Sequence, residues 1–218
     1  MNNNIVWHVE TSCSGFVCDG TKTTHYAEDL SFDIPKGITL ILTDAPNALI
    51  ETFIDACNQP TVVQSHYRAT LFHDPHSMCL AANFQPFMPY DYTIKSYLQR
   101  IARRAGAHLV DAIQEADRLI DLMQWESIED LRLGQLDADE KLLLFIAGCA
   151  IAKRKSILIS YGPANTELTA EDYNYCIIPI LRQLCESEDL SIIFIMQDDI
   201  IFGGWDQLIL LNAEGEEM

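Results

Sequence analysis

Several groups of residues combine types and spacings that chemistry could use. His73-Asp74-Pro75-His76, with His66 upstream and Cys79 three residues on, offers a His-x-x-His spacing compatible with zinc. No Cys-x-x-Cys completes a tetrahedral set, so the segment reads as a polar loop and no metal is expected. Ser12, Cys13 and Ser14 stand together without the surroundings that activate a nucleophile, and Cys13 and Cys18 on one strand-turn segment are equally unspecific. Asp198-Asp199 has the form of a carboxylate pair but reads as solvated loop acids. Cations gather at Arg100, Arg103 and Arg104 and again at Lys153-Arg154-Lys155. Each group fits a helix end, where the carbonyl dipole attracts positive charge, and each forms a local basic patch suited to contact.

Those patches lie in a strongly acidic chain: 14 Lys and Arg against 32 Asp and Glu, a formal charge of −18 over 218 residues. Such a balance excludes phosphate-backbone binding and attraction to an anionic membrane surface. It leaves a self-repelling soluble surface or a partner with a basic face. The seven cysteines are odd in number, irregular in spacing and partly set in apolar runs, which fits buried thiols in a reducing cytosol. Met1-Asn2-Asn3-Asn4 shows no charged segment leading into an apolar one, so no signal peptide is expected. Leu190 to Met196 is too short to span a bilayer.

The elements that would position these residues alternate along the chain. Ile5 to Glu10 and Leu30 to Ile34 alternate as strands, and Asp19-Gly20 predicts a hairpin turn before Thr21 to Tyr26. Ile38 to Thr43 is a continuous β-branched and leucine run, the pattern of a strand buried on both faces. Ala48 to Cys57 reads as a helix. Thr93 to Arg104 and His108 to Trp125 are longer helical stretches, the second with a stripe at Leu109, Ile113, Ala116, Leu119, Ile120 and Met123. Asp137 to Ile151 opens with acids that suit a helix N-terminus. Strand Ser156 to Ser160, a helix capped by Thr169 with Asp172 and kinked at Pro179, and strands Leu190 to Met196 and Gln207 to Leu211 complete the pattern. Apolar strands separated by helices imply a mostly parallel sheet covered on both faces.

In this order and at this spacing the segments resemble the ATP-binding subunit of ABC transporters, over roughly Ile5 to Glu214. Glu28 to Gly37 looks like the family's lead-in strand, and the phosphate loop G-x-x-x-x-G-K-[ST] falls on Asp44 to Glu51, followed by Thr52. Phe84 to Ile94 resembles the glutamine loop and the start of the helical lobe. Ser156 to Pro163 lies where an apolar strand ends in Asp-Glu-Pro. Phe194 to Asp199 resembles the strand ending in the switch histidine, and Asp206 to Asn212 the closing strand. The resemblance implies a single P-loop NTPase-like α/β domain over residues 1–218. It has a mostly parallel sheet, N-terminal antiparallel strands and an inserted helical lobe at about 87–135.

Measured against that family, the functional positions are replaced, apart from the loop glutamine at Gln85. The loop glycines fall on Asp44 and Leu49, the lysine on Ile50 and the magnesium-ligating hydroxyl on Glu51, with Thr52 reading as a helix residue. No Lys or Arg occurs between Lys36 and Arg68, so no small shift restores the cation that neutralises a polyphosphate. The magnesium-binding aspartate and general-base glutamate fall on Tyr161 and Gly162, ahead of Pro163, and the switch histidine on Gln197. The signature LSGGQ falls on Asp137-Ala138-Asp139-Glu140-Lys141, with Leu133-Gly134-Gln135 an earlier alternative. Phe16 occupies the region of the adenine-stacking aromatic and reads as core.

The expectation is therefore a noncatalytic subunit, a pseudo-ATPase with no catalytic residue and no cofactor. It is cytoplasmic, peripheral to the inner face of a membrane only through a partner, and binds neither nucleic acid nor membrane directly. In the resembled family a groove beside the glutamine loop receives a cytoplasmic helix of the membrane permease. Here Gln85, Phe87, Met88, Tyr90 and Tyr92 would line it, and a catalytic ABC ATPase homologue would supply the ATP chemistry. Two alternatives stay open: an active ABC transporter ATPase with unconventional ATP binding, and a standalone regulatory scaffold outside transport.

Overall fold

The apolar runs pair into two sheets. The computed structural model of the chain describes residues 5–11, 14–19, 22–26, 30–43, 46–58, 67–71, 77–81, 91–160, 171, 173–196 and 203–212. Its strands are β1 (Ile5–Thr11), β2 (Ser14–Asp19), β3 (Lys22–Tyr26), β4 (Leu30–Pro35), β5 (Gly37–Thr43), β6 (Tyr67–Leu71), β7 (Met78–Ala81), β8 (Ser156–Ser160), β9 (Ser191–Met196) and β10 (Gln207–Asn212). The helices are α1 (Pro46–Asn58), α2 (Ile94–Arg104), α3 (Leu109–Met123), α4 (Ala138–Ile151) and α5 (Ile178–Glu188).

A seven-stranded sheet runs β3-β2-β10-β5-β9-β8-β7, and a separate antiparallel sheet runs β4-β1-β6. From β10 to β7 the large sheet is parallel, while β2 and β3 add an antiparallel hairpin at its edge. That hairpin pairs Asp19 with Lys22, so its second strand starts one residue later than the turn at Asp19-Gly20 predicts. β6 and β7 carry too little alternation to be read from the sequence; each is defined by its partner strand.

Side chains of the parallel strands divide by the two-residue period. Ile38, Leu40, Leu42, Ile192, Phe194 and Met196 join one core with α2, α3, α4 and α5. Ile41, Leu158, Ile193, Ile195 and Ile209 join a second core on the opposite face, closed by α1 and by Val6, Trp7, Val9, Phe32 and Ile34 of the small sheet. Burial on both faces is why these strands are continuously apolar. Trp7 anchors the second core, its ring edge-on to Phe53 at 4.7 Å and its Nε1–H donating to Ser156 Oγ at 3.3 Å.

Between β4 and β5 a single residue carries the chain from one sheet to the other, and the turn needs Gly37. Its φ is +110°, and a Cβ there would stand 2.4 Å from Asp206 Oδ2. That carboxylate accepts from Ile38 N at 2.9 Å and pairs with Arg182, tying the starts of β5 and β10 to α5.

Helix ends follow their caps. Thr93 caps α2 with a reciprocal Ser96 bond, and Glu140 Oε2 accepts from Asp137 N at 2.9 Å at the start of α4. α4 is buried nearly all round from Leu142 to Ile151, as a central helix must be. Its Gly148 lets α2 approach, since a Cβ there would meet Ile101 at 2.7 Å.

Two expectations are corrected. The apolar stripe of α3 leaves the core at its first turn: Ala112, Ala116, Leu119, Ile120 and Met123 are buried, but Leu109 and Ile113 are exposed. Pro179, read as a kink, sits in the first turn of α5 directly after a π-helical turn, Tyr173–Ile177. Lys155 does not serve the end of α4; its Nζ donates to Glu188 O at 2.8 Å, at the end of α5. The helix cap at Thr169 and Asp172 lies outside the described residues.

Candidate functional site

In an open parallel sheet, ligands bind beyond the carboxyl ends of the strands, where loops and helix N-termini meet. Here that edge is formed by Thr43, Met196 and Ser160 at the ends of β5, β9 and β8, with α1 starting at Pro46. Thr43 and Ser160 are buried, and Ser160 Oγ has no hydrogen-bond partner among the described residues.

Two of the α1 residues aligned with a phosphate loop, those at its second glycine and its lysine, are turned inward. Leu49 is fully buried and Ile50 is 3% exposed, both within the core that holds Trp7, Phe53 and Ile41. Glu51 faces solvent. Thr52 is buried, and its Oγ1 donates back to Ala48 O at 2.9 Å, a bond internal to the helix. Asp44, Tyr161, Gly162, Pro163 and Gln197 lie outside the described residues.

Cations collect at the opposite edge of the sheet. Lys36 pairs with Asp189 at 2.7 Å just before β5 and β9, and Arg182 pairs with Asp206 just before β10. Lys155 precedes β8, where its backbone N donates to Ser77 O and its carbonyl accepts from Ser191 N. These contacts are structural: each holds a strand entrance, at the end of the sheet remote from α1's N-terminus.

Of the expected groove residues, Gln85, Phe87, Met88 and Tyr90 lie outside the described residues, and Tyr92 is half-buried before α2. Arg100 lies over the Tyr92 ring, 5.0 Å from its centroid, and donates to its hydroxyl. The segment beginning there returns to its own start. Leu133 N donates to Tyr92 O at 2.9 Å and Ile94 N to Leu131 O at 3.2 Å. Lys95 Nζ reaches Asp117 at 2.9 Å and Glu129 at 3.2 Å, which holds its pKa above the ordinary lysine value.

Cys79 on β7 and Cys149 on α4 share a hydrogen bond that lowers Cys79 to about 7, helped by Arg154 and opposed by burial; the same bond and burial raise Cys149. Burial pushes Cys185 up to about 12. His66, His73, Asp74, His76, Ser12, Cys13, Asp198 and Asp199 lie outside the described residues, as does the side chain of Phe16. Among the described residues no cluster of three or more His, Cys, Asp and Glu could hold a metal ion. No described helix is long and apolar enough to cross a membrane.

No protein-family model matches the sequence, and no curated protein matches it. Solved structures do. One is CbiO1 from Clostridium perfringens, part of the ABC transporter complex CbiONQ; it is 16% identical with a TM-score of 0.66, over 96% of this chain and 85% of that one. A second is a putative metal-chelate type ABC transporter in an inward-facing conformation, 16% identical with a TM-score of 0.57, over 88% of this chain and 73% of that one. A third is the ATP-binding cassette MJ0796, a post-hydrolysis dimer bound to ADP and Pi, 13% identical with a TM-score of 0.57, over 96% and 97%. The chain has the mixed α/β fold of ABC ATPase domains, with the mostly parallel sheet and N-terminal antiparallel strands that the sequence implies.

Proposed function

We propose that this chain is a noncatalytic ABC-ATPase-like subunit, acting by protein–protein contact within an ABC-type transport complex or on one. The observation that carries the reading is the burial of Leu49 and Ile50 in the core behind α1, where the phosphate-loop glycine and lysine align. A phosphate loop works by close backbone approach and a free ammonium. Two apolar side chains locked into packing supply neither, and the nearest cations in sequence are Lys36 and Arg68. Glu51 adds negative charge on the exposed side of the same helix. At the start of α4, aligned with the signature, the Asp137 amide is already bonded to Glu140, and three acids stand where a γ-phosphate would be received.

In this reading partner binding uses the helical segment and the loop that leads into it. The segment 87–135, read as an inserted lobe, has its strand-like ends stitched together at Thr93 and Arg132, so it can present a surface without disturbing the sheet. Gln85, Phe87, Met88, Tyr90 and Tyr92 form the groove in this reading, an aromatic- and Met-rich lining suited to an apolar helix. A permease helix and a catalytic homologue are the partners, and the site of action is the cytoplasmic face of a membrane. Two measurements test it. Titration calorimetry with ATP and Mg²⁺ gives no saturation below millimolar concentration; micromolar binding would overturn the noncatalytic reading. Phe87→Ala with Tyr90→Ala releases a co-purifying partner while the fold persists; elution as a lone monomer from native extract at every salt concentration would overturn the subunit reading.

A further inference from the structure

In a chain where acids outnumber bases 32 to 14, a surface that gathers unpaired cations is exceptional. One face of α2 does this. Ser96, Arg100, Arg103 and Arg104 recur at helical spacing and, with Tyr92, Gln99 and Leu109, line an open groove of about 510 Å³. Arg103 and Arg104 make no ion pair among the described residues, although carboxylates abound. Next to the arginines, α3 opens with three exposed apolar side chains: Leu109 at 55%, Val110 at 63% and Ile113 at 36%. Their spacing of three and four residues puts them on one patch. The carbonyl dipole at the end of α2 accounts for cations at Arg103 and Arg104. Arg100, a turn earlier, is held over the Tyr92 ring and bonds its hydroxyl rather than a carboxylate, and neither the dipole nor that contact accounts for the apolar patch beside them.

We propose that this face docks an acidic amphipathic helix of a partner protein. Its apolar stripe would cover Leu109, Val110 and Ile113, and its carboxylates would meet Arg100, Arg103 and Arg104, whose planar guanidinium groups accept bidentate pairing. The inference rests on the partner-subunit reading and specifies the chemistry of one partner surface. Charge selects the occupant. At −18 the chain repels polyanions such as nucleic acid and anionic bilayers at long range, and it repels a second copy of itself. A short helix with a few acids escapes most of that repulsion and fits a concave groove.

The test uses the full chain and two labelled 18-residue helical peptides, one with a leucine stripe flanked by glutamates, the other with lysine in place of each glutamate. Fluorescence anisotropy at low and high salt reads affinity, and hydrogen exchange maps the site. The glutamate peptide is expected to bind saturably, weaken with salt and protect residues 94–113. Arg103→Glu with Arg104→Glu should cost at least about tenfold, and Leu109→Ser with Val110→Ser a comparable loss. All four positions border solvent, so thermal melting should confirm intact folding. Equal binding of both peptides, a charge-reversal effect within twofold, or protection elsewhere overturns the proposal. Preferential binding of phosphatidylglycerol vesicles or single-stranded DNA through the same arginines also overturns it. If any of these occurs while the Phe87 and Tyr90 substitutions still release a native partner, the subunit reading stands without this surface.

Discussion

Replacing Ile50 by lysine restores, in letters, the residue that a phosphate loop needs, and the structure predicts that it restores nothing else. Ile50 is 3% exposed in the core shared by Trp7, Phe53, Ile41 and Ile195. Removing a buried isoleucine side chain forfeits about 2–3 kcal/mol of transfer free energy. The lysine stem recovers part of that, but its ammonium must then be desolvated, neutralise, or pull the helix outward. The net loss should be roughly 3–5 kcal/mol, a large share of the 5–15 kcal/mol typical of a domain. For a chain of this length that corresponds to a fall in Tm of roughly 10 °C. Thermal melting with ATP and Mg²⁺ present and absent is the assay, with Glu51→Lys as control, since Glu51 is exposed on the same helix. The control should shift stability by no more than about 0.5 kcal/mol. An Ile50→Lys protein that melts like the wild type and is stabilised by nucleotide would show that this side chain faces a phosphate site, and the core assignment of α1 would be wrong.

Gly37→Ala should destabilise by about 2–4 kcal/mol, because it combines positive φ with a Cβ placed against Asp206; an unchanged urea midpoint would refute the tie between β5 and β10. Alkali should weaken the fold. Cys185 is raised by burial, so the folded protein holds that proton after the unfolded chain has lost it. The associated stability is intact below about pH 9 and falls as pH rises toward 12, by about 2 kcal/mol at pH 10.5. Urea titrations at pH 8 and 10.5 should show Cys185→Ala losing less than the wild type does; equal losses would refute the assignment. Iodoacetamide labelling of Cys79 should reach half its maximal rate near pH 7, and Cys149→Ala should move that midpoint upward by removing the hydrogen bond that lowers it. No movement would mean that the two thiols do not interact.

What the residues determined alone was local. Continuous apolar runs at Ile38 to Thr43 and Leu190 to Met196 announced strands covered on both faces, because only such strands need no polar side. The helical stretches read from Thr93 and Asp137 start within a residue of the observed helices, since the caps found there are bonds between neighbours in sequence. The absence of any Lys or Arg from Ile38 to Tyr67 was legible in the residues themselves. Tertiary structure decided everything that depends on partners far along the chain. β6 and β7 became strands only beside β1 and β8. Lys155 found the end of α5, and Trp7 found Ser156, 149 residues away. The stripe of α3 could not reveal that Leu109 and Ile113 overhang the core, because periodicity gives a face but not how far the neighbouring helix extends to cover it. The same limit hid the groove: Arg100, Arg103 and Arg104 looked like a helix end until α3 laid its exposed apolar turn beside them.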